Sequence, residues 1–508
     1  MRPIETLLLL AILLAFIALA VPLPRAMRWM CRATPVALLA AVTQMVVEGP
    51  RWQMIPAYAL TVLFFLVWLV RNFAPTGGRI GWTALHPMGA AMAVGLGTLG
   101  LTMAVALPMV VPVFRFPPPA GPHGIGTLTY HWIDASRSEV FAADPKERRQ
   151  LMVQVWYPAQ AHPSAPRAAY MPDADAVTAA FARIHGKPAF LFGHVKYVTT
   201  NAMPSAPAAV GPPRHPVLLF LEGATGFRQM NTFQVEHLVS HGYIVVAIDQ
   251  PGAAAAVVFP NGHRTVGLTL PQFHAAVSPS YLPGETDSVR TSALRAHGIA
   301  LDDSSIVPYL AKDVIFTLDR LATLDQADPN GILTGRLDLQ RVGAFGVSLG
   351  GIVVAESCRL DARLRACLVM DAPMPTDVVA AGLQQPIMWI TRDAASMRLE
   401  RQRAGGWPEA EIAAHQGTMR AVYEGLVGAG YFVRVPGMFH SNFTDIPNWT
   451  PLASWWGLSG PIDAGRAHDI VNAYSLAFFD RHLLGRPAKL LDGPANQYPQ
   501  VMFESRRP

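Results

Sequence analysis

Ser348, His440 and one of two aspartates have the types and the order along the chain that catalysis by a nucleophilic hydroxyl requires. Ser348 is the centre of Gly346-Val347-Ser348-Leu349-Gly350, a G-x-S-x-G sequence with an apolar run at 342–345 before it and a helix-compatible run at 352–360 after it. That context describes a nucleophile elbow. A strand turning sharply into a helix holds the serine in a strained backbone geometry, and side chains at Gly346 or Gly350 would collide with the neighbouring strand and helix. The hydroxyl is left above the sheet, and the N–H of Leu349 at the helix start faces the place where an oxyanion would form.

A serine hydroxyl is a poor nucleophile until a base takes its proton, and that base must itself be oriented by a carboxylate. In a strand–elbow–helix fold the partners follow in the order Ser, acid, His, each in a loop after a later strand. His440, in PGMFHSNF, comes directly after the apolar stretch 431–435 and stands where the base belongs. Other histidines lie elsewhere, among them His237 and His241 on a helical stretch, His263 and His274 in a long irregular passage, and His482 on the last helix. Two carboxylates compete for the third role. Asp371 follows the strand 366–370 and Asp393 follows the strand 387–390, and either could reach the imidazole. A second oxyanion donor is expected from Glu222-Gly223-Ala224-Thr225-Gly226, the loop after the strand 217–221, whose glycines permit close backbone approach. With no H-E-x-x-H, C-x-x-C or Cys/His cluster, neither a metal nor a cofactor is implied.

These residues need a scaffold, and the pattern from 151 onward supplies one. Strands at 151–157, 217–221, 244–248, 342–345, 366–370, 387–390 and 431–435 alternate with helices at 232–241, 307–324 and 419–427. Strands apolar on both faces, alternating with helices, indicate an α/β domain on a mostly parallel sheet, whose site lies at the carboxyl ends of the strands. The irregular passage 251–305 breaks the rhythm and reads as a lid or insertion.

The rest of the chain has a different solvent. Of 508 residues 51% are hydrophobic and only 15% charged, with the apolar excess concentrated near the N-terminus. Apolar runs at 4–23, 36–47, 54–70 and 88–113 predict three or four transmembrane helices, the second run being marginal, and none carries a charge suggesting a transport path. Arg25, Arg28 and Arg32 follow the first run and Arg71 and Arg79 the third. With four spans, positive loops held in the cytoplasm place the N-terminus and everything after Val113 outside it, as in a multi-pass protein of a bacterial-type inner membrane. With three spans that argument is lost. The expected organisation is a transmembrane region at 1–116, a Pro/Gly linker at 117–126 (PPPAGPHGIG) acting as a stiff, uncovered connection, and a catalytic domain at 127–508. The net charge of +5 is scattered and unaccompanied by aromatics, which argues against nucleic acid as a partner. Cys358 and Cys367 read as buried free thiols, with a single bridge between them as the alternative.

QLMVQVWYP at 150–158, LEGATGFR at 221–228, GVSLGG at 346–351, MDAPMP at 370–375 and VPGMFHSNFTD at 435–445 together resemble the platelet-activating-factor acetylhydrolase family over roughly 124–484. The resemblance implies an α/β-hydrolase fold, Asp371 as the acid of the triad, and Ala224 and Leu349 as the oxyanion donors. Two positions depart from the family pattern: Glu222 and Val347 stand where it usually has histidine. The expectation is a membrane-anchored serine ester hydrolase acting on a small-molecule or lipid ester, with short or oxidised acyl chains on a glycerophospholipid implied by the resemblance. An acyltransferase, a cutinase-like or dienelactone-hydrolase-like esterase of non-lipid substrates, and a catalytically inactive membrane sensor are the alternatives. The sequence carries no signal of oligomeric state.

Overall fold

The computed structural model describes all residues except 22–23, 74–86, 143, 145, 278–279, 283–305 and 508. The chain forms two compact units, one of residues 1–114 with the short segments 193–198 and 449–452, the other of the remainder.

The first unit is a helical bundle of α1 (Pro3–Ala20), α2 (Ala33–Val47), α3 (Ile55–Phe73) and α4 (Pro87–Val110). Three helices are long and apolar enough to cross a membrane, at Pro3–Ala20, Trp52–Phe73 and Ala91–Val110, whereas α2 is shorter. Small side chains fill the interior, among them Ala37, Ala40, Ala41, Ala57 and Ala104, while Leu10, Leu39, Leu63, Leu66 and Leu96 point outward. A Cβ at Gly97 would lie 2.4 Å from the Phe16 ring, so α4 packs its bare backbone against that ring of α1. Glu5 and Glu48 sit at one end with Arg2 and Arg51. Buried Glu5 receives Arg51 through Nε and Nη2 at 2.7 and 2.8 Å. Arg51 also donates to the Val111 carbonyl at 2.8 Å, and Glu48 accepts from the N–H of Ile4 at 2.8 Å. The N-terminus, the α2–α3 turn and the end of α4 therefore share one end of the bundle, the arrangement that four alternating helices give.

The second unit is built on a ten-stranded mixed sheet flanked by helices, an α/β-hydrolase fold. In chain order it contains β1 (Gly124–Ser138), β2 (Arg148–Ala159), α5 (Ala174–Ile184), β3 (Met203–Pro204), β4 (His215–Leu221), α6 (Thr232–Ser240), β5 (Ile244–Asp249), the hairpin β6 (Ala256–Val258) and β7 (Arg264–Val266), and α7 (Leu270–Val277). Then come α8 (Ile306–Gln326), β8 (Leu337–Val347), α9 (Leu349–Leu360), β9 (Leu364–Met370), α10 (Thr376–Ala381), β10 (Ile387–Thr391), α11 (Ala394–Ala404), α12 (Glu409–Gly425), β11 (Gly430–Arg434), α13 (Ala464–Leu484) and β12 (Met502–Arg506). The sheet order is β12-β11-β10-β9-β8-β4-β5-β2-β1-β3. From β5 through β4, β8, β9 and β10 to β11 every pairing is parallel, and antiparallel β12 and β2 flank that centre. The central strands are buried on both faces, which is why they are apolar without alternation. Val217, Leu219 and Ala344 share a core with Val314 of α8 and Val353 of α9. On the other face Phe345 meets Phe220 and Phe479 of α13, at 5.1 and 6.1 Å between ring centroids.

Two expectations change. The stretch 117–126 is not an uncovered linker: β1 begins at Gly124, and Gly121 lies so close to α6 that a Cβ would stand 2.2 Å from the Ser240 carbonyl oxygen. Proline and glycine here suit close packing against a backbone rather than exposure. Cys358 and Cys367 form a disulfide joining the end of α9 to β9, in place of two free thiols. Of the passage 251–305, the described part holds β6, β7 and α7, and 283–305 lies outside the described residues, as does Arg79.

Candidate active site

Four successive parallel strands end around one point: β8 delivers Ser348, β9 Asp371, β10 Arg392, and the loop beyond β11 His440. Ser348 has φ 56 and ψ −124, a conformation that non-glycine residues avoid unless the surrounding structure enforces it. The enforcement is visible in its neighbours. A Cβ at Gly346 would be 2.5 Å from the carbonyl of Gly350, and one at Gly350 would be 2.1 Å from the carbonyl oxygen of Leu221 at the end of β4. The turn can close only over those two bare positions. Ser348 N–H continues the ladder to the Met370 carbonyl at 2.9 Å, so the serine is tied to the strand that leads into Asp371.

The loop after β4 approaches from the other side. A Cβ on Gly223 would meet Ser348 Cβ at 3.2 Å, and Gly226 N–H closes the turn on the Gly223 carbonyl at 2.9 Å. Thr225, with φ 62, is pinned by its N–H to the Ala253 carbonyl at 2.8 Å. Ala224 and Ser348 are half-buried amid buried neighbours, and Leu349 opens α9, where a first-turn N–H has no intrahelical acceptor. Glu222 is buried beneath this loop and accepts from Gln250 N–H at 3.2 Å; burial, reinforced by the charge of Asp249, pushes its carboxyl well above the usual range. Asp249 in turn fixes the loop by accepting from the Arg228 N–H at 2.6 Å and pairing with its guanidinium.

His440 opens a short 3-10 turn, His440–Phe443, whose entry is held by Asn442 Oδ1 accepting from the N–H groups of Phe439 and Gly460, each at 2.8 Å. Its Nδ1 lies 2.5 Å from Asp371 Oδ2. Asp371 is fully buried and has φ 45. It also accepts from Arg392 Nε at 2.8 Å and from the Thr391 hydroxyl at 3.2 Å. Burial alone would raise its carboxyl, but the Arg392 guanidinium, then the hydrogen bond and charge of His440, hold it far below the ordinary carboxylate range. Asp393, the other candidate, is occupied differently: it is the N-cap of α11, accepting from Ser396 N–H at 3.0 Å. The structure thus brings Asp371, and not Asp393, to His440.

Several residues at this point were not anticipated from the sequence. Arg392 pairs with Glu400 of α11 as well as with Asp371, and its guanidinium lies 5.0 Å from the Trp407 ring centroid. Glu400 accepts from the backbone N–H of His440 at 3.3 and 3.4 Å. His415 of α12 sits 3.9 Å from Asp371 Oδ1, and burial lowers it to about 4 despite the opposing charge of Asp371. An arginine next to the end of a buried strand was the available signal. Among the described residues no group of His, Cys, Asp and Glu is arranged to hold a metal. A cavity of about 600 Å³ lies apart from these residues, among 117–120, α6 and α13.

A model of the family described as platelet-activating factor acetylhydrolase, isoform II, matches residues 110–264 and 324–488. The chain belongs to that family. The unmatched interval of this acetylhydrolase-family chain, 265–323, takes in most of the irregular passage and all of α8 but its last three residues. The platelet-activating factor acetylhydrolase of Canis lupus familiaris is 25% identical over 306 residues, 58% of this chain and 62% of that protein. A probable 1-alkyl-2-acetylglycerophosphocholine esterase of Arthroderma benhamiae is 25% identical over 305 residues, 57% of this chain and 66% of that one. The family member described here therefore spans less than two thirds of the length of either relative. Among solved structures, a ferulic acid esterase from Streptomyces cinnamoneus superposes with a TM-score of 0.56 at 28% identity, over 77% of this chain and 99% of that one.

Proposed function

We propose that the chain is a membrane-anchored carboxylic ester hydrolase in which Ser348, His440 and Asp371 form the triad. The observation that carries this reading is the 2.5 Å contact of Asp371 with His440 Nδ1 beside a serine held at positive φ on a glycine-bounded elbow. With Nδ1 engaged, the other imidazole nitrogen is the one left to take the Ser348 proton as the hydroxyl oxygen attacks the ester carbonyl. The tetrahedral oxyanion is stabilised by the N–H groups of Leu349 and Ala224. His440 returns the proton to the leaving alcohol, the acyl group stays on Ser348, and a water deprotonated by His440 releases it. Asp371 remains ionised throughout and stabilises the transient imidazolium.

Substrate class is supported by the relatives named for acetylhydrolase and alkylacetylglycerophosphocholine esterase activity, which favour a short acyl chain on a glycerophospholipid. A second reading, a non-lipid ester, is favoured by the likeness to a ferulic acid esterase almost along that protein's whole length. In both, we read the passage 251–305 as a lid or insertion. Three helices of spanning length support the anchor, and the Cys358–Cys367 bridge, which persists in oxidising compartments, supports an extracytoplasmic catalytic unit.

The test uses the detergent-solubilised full chain with a fluorophosphonate probe, in the native form and in Ser348→Ala and His440→Ala. Labelling lost in both variants, with faster release of acetate from an acetyl glycerophospholipid than of ferulate from methyl ferulate, is the expected result. Full labelling of Ser348→Ala overturns the site, and the reverse substrate preference moves the assignment to the non-lipid ester. Labelling without hydrolysis, with ester formed when an acceptor alcohol is supplied, would make the chain an acyltransferase.

A further inference from the structure

We propose that Arg392 and Glu400 are positioning residues that lock Asp371 and His440 into a closed ring and set the charge around the imidazole, an inference that rests on the serine-hydrolase reading above. The ring can be followed bond by bond. Asp371 Oδ2 meets His440 Nδ1 at 2.5 Å and Arg392 Nε at 2.8 Å. Arg392 reaches Glu400 with its other face, and Glu400 accepts the backbone N–H of His440 at 3.3 and 3.4 Å. His440 is thus gripped twice, through its ring by Asp371 and through its main chain by Glu400. It sits on a loop, a less precise support than a strand or helix, and the ring ties that loop to the end of β10 and to α11.

The charges explain why both members are needed. A lone triad carboxylate presents one negative charge to the imidazole. Arg392 alone would cancel it and oppose formation of the imidazolium, and Glu400 restores it, so that the three groups together again carry a single negative charge. A planar, always-charged fork between two carboxylates is the role for which arginine, and not lysine, is suited. The other groups facing this centre do not alter the count: His415 is 3.9 Å from Asp371 and kept neutral by burial, and Thr391 contributes a hydroxyl. Trp407 packs its ring against both Arg392 and His440, at 5.0 and 5.4 Å, which adds an aromatic wall to the arrangement.

The deciding measurement is the pH profile of kcat and kcat/KM for p-nitrophenyl acetate with the solubilised full chain, in native, Arg392→Gln, Glu400→Gln, doubly substituted and Arg392→Lys forms. Removing the cation leaves two uncompensated carboxylates near His440, so the acid limb of kcat/KM should move up by about half a pH unit or more in Arg392→Gln. Removing the anion should move it down by about as much in Glu400→Gln. The double variant should return the limb to its native place with kcat about tenfold lower and KM within about twofold, because charge is restored and positioning is not. Arg392→Lys should behave likewise. Glu400 is partly exposed, so its variant should fold, and if Arg392→Gln does not, the Glu400→Gln shift decides alone. Limbs that stay fixed, or move the same way in both single variants, overturn the ring while leaving the triad standing. A native chain that neither labels with fluorophosphonate nor hydrolyses the ester overturns both.

Discussion

The helical bundle and the α/β unit differ most in what they leave exposed. In the bundle, Leu8, Ile12 and Phe64 are inside together with alanines, Glu5, Gln44 and Gln53, yet many large aliphatic side chains such as Leu66 are outside. In the α/β unit the interior is Val, Leu, Ile and Phe. The bundle's outward surface is what the proposed membrane anchor would require, since against lipid large apolar groups lose nothing by facing out and close helix packing comes from small ones. Both units bury charge, in different numbers. The bundle holds one deeply buried pair, Arg51 with Glu5, at one end, whereas the α/β unit holds several near the carboxyl ends of its central strands, in Arg149 with Asp313, Arg228 with Asp249, and Arg392 with Asp371.

If buried charge in the α/β unit divides into groups that act and groups that only hold, single substitutions should separate them. Asp371→Asn should lower kcat/KM by about four orders of magnitude, measured as ester turnover and as the rate of fluorophosphonate labelling. Asp313→Ala should lower unfolding free energy by about 3–5 kcal/mol by leaving Arg149 short of a partner, while turnover per folded molecule is kept. The contrast of solvents is tested by a matched pair. Leu66→Arg, at an outward bundle position, should cost about 3 kcal/mol of membrane insertion, whereas Val210→Arg, 89% exposed in the α/β unit, should change stability by less than about 0.5 kcal/mol. Equal effects in an insertion assay and a thermal melt would erase the distinction.

Asp393→Ala should cost about 1 kcal/mol through the lost cap of α11 and leave turnover near native, in contrast to its counterpart one strand earlier. The smallest expected effect is one of pH. Burial depresses His468 to about 4, partly offset by its bond to the Thr444 carbonyl, so it is neutral in the folded chain. The unfolded chain takes up a proton there below about pH 6.5. Its contribution is therefore complete above that pH and is lost as pH falls toward 4. The melting-temperature difference between native and His468→Gln should shrink over that window, and a constant difference would show that His468 titrates normally.

Much of this architecture was readable because buried parallel strands announce themselves. β4, β5 and the ends of β8 to β11 are short apolar runs, and Ser348, Asp371 and His440 were found by adjacency to the ends of β8, β9 and β11. The spacing around Ser348 likewise expressed a steric demand that the two glycine contacts make explicit. β1 was missed because it starts among glycines and mixes polar residues as it approaches the sheet edge, and β12, reading MFESR, carries charge at an edge position. Asp371 and Asp393 could not be separated by local reading, since both follow strands; what separates them is that one backbone feeds a helix cap while the other turns at φ 45 toward His440. Arg392, Glu400 and the disulfide pairing depend on contacts between elements distant in sequence, which no short stretch reports.

The disulfide has a mechanical meaning. α9 carries Ser348 at its start and Cys358 near its end, while β9 carries Cys367 in its middle and leads into Asp371. Helix and strand are the two arms of a pair of tongs, with nucleophile and acid at the tips and the sulfur bridge as the rivet behind them. The rivet limits how far the tips can spread while acyl groups enter and leave, so a thiol reductant would loosen the grip of the tongs from the side away from the substrate.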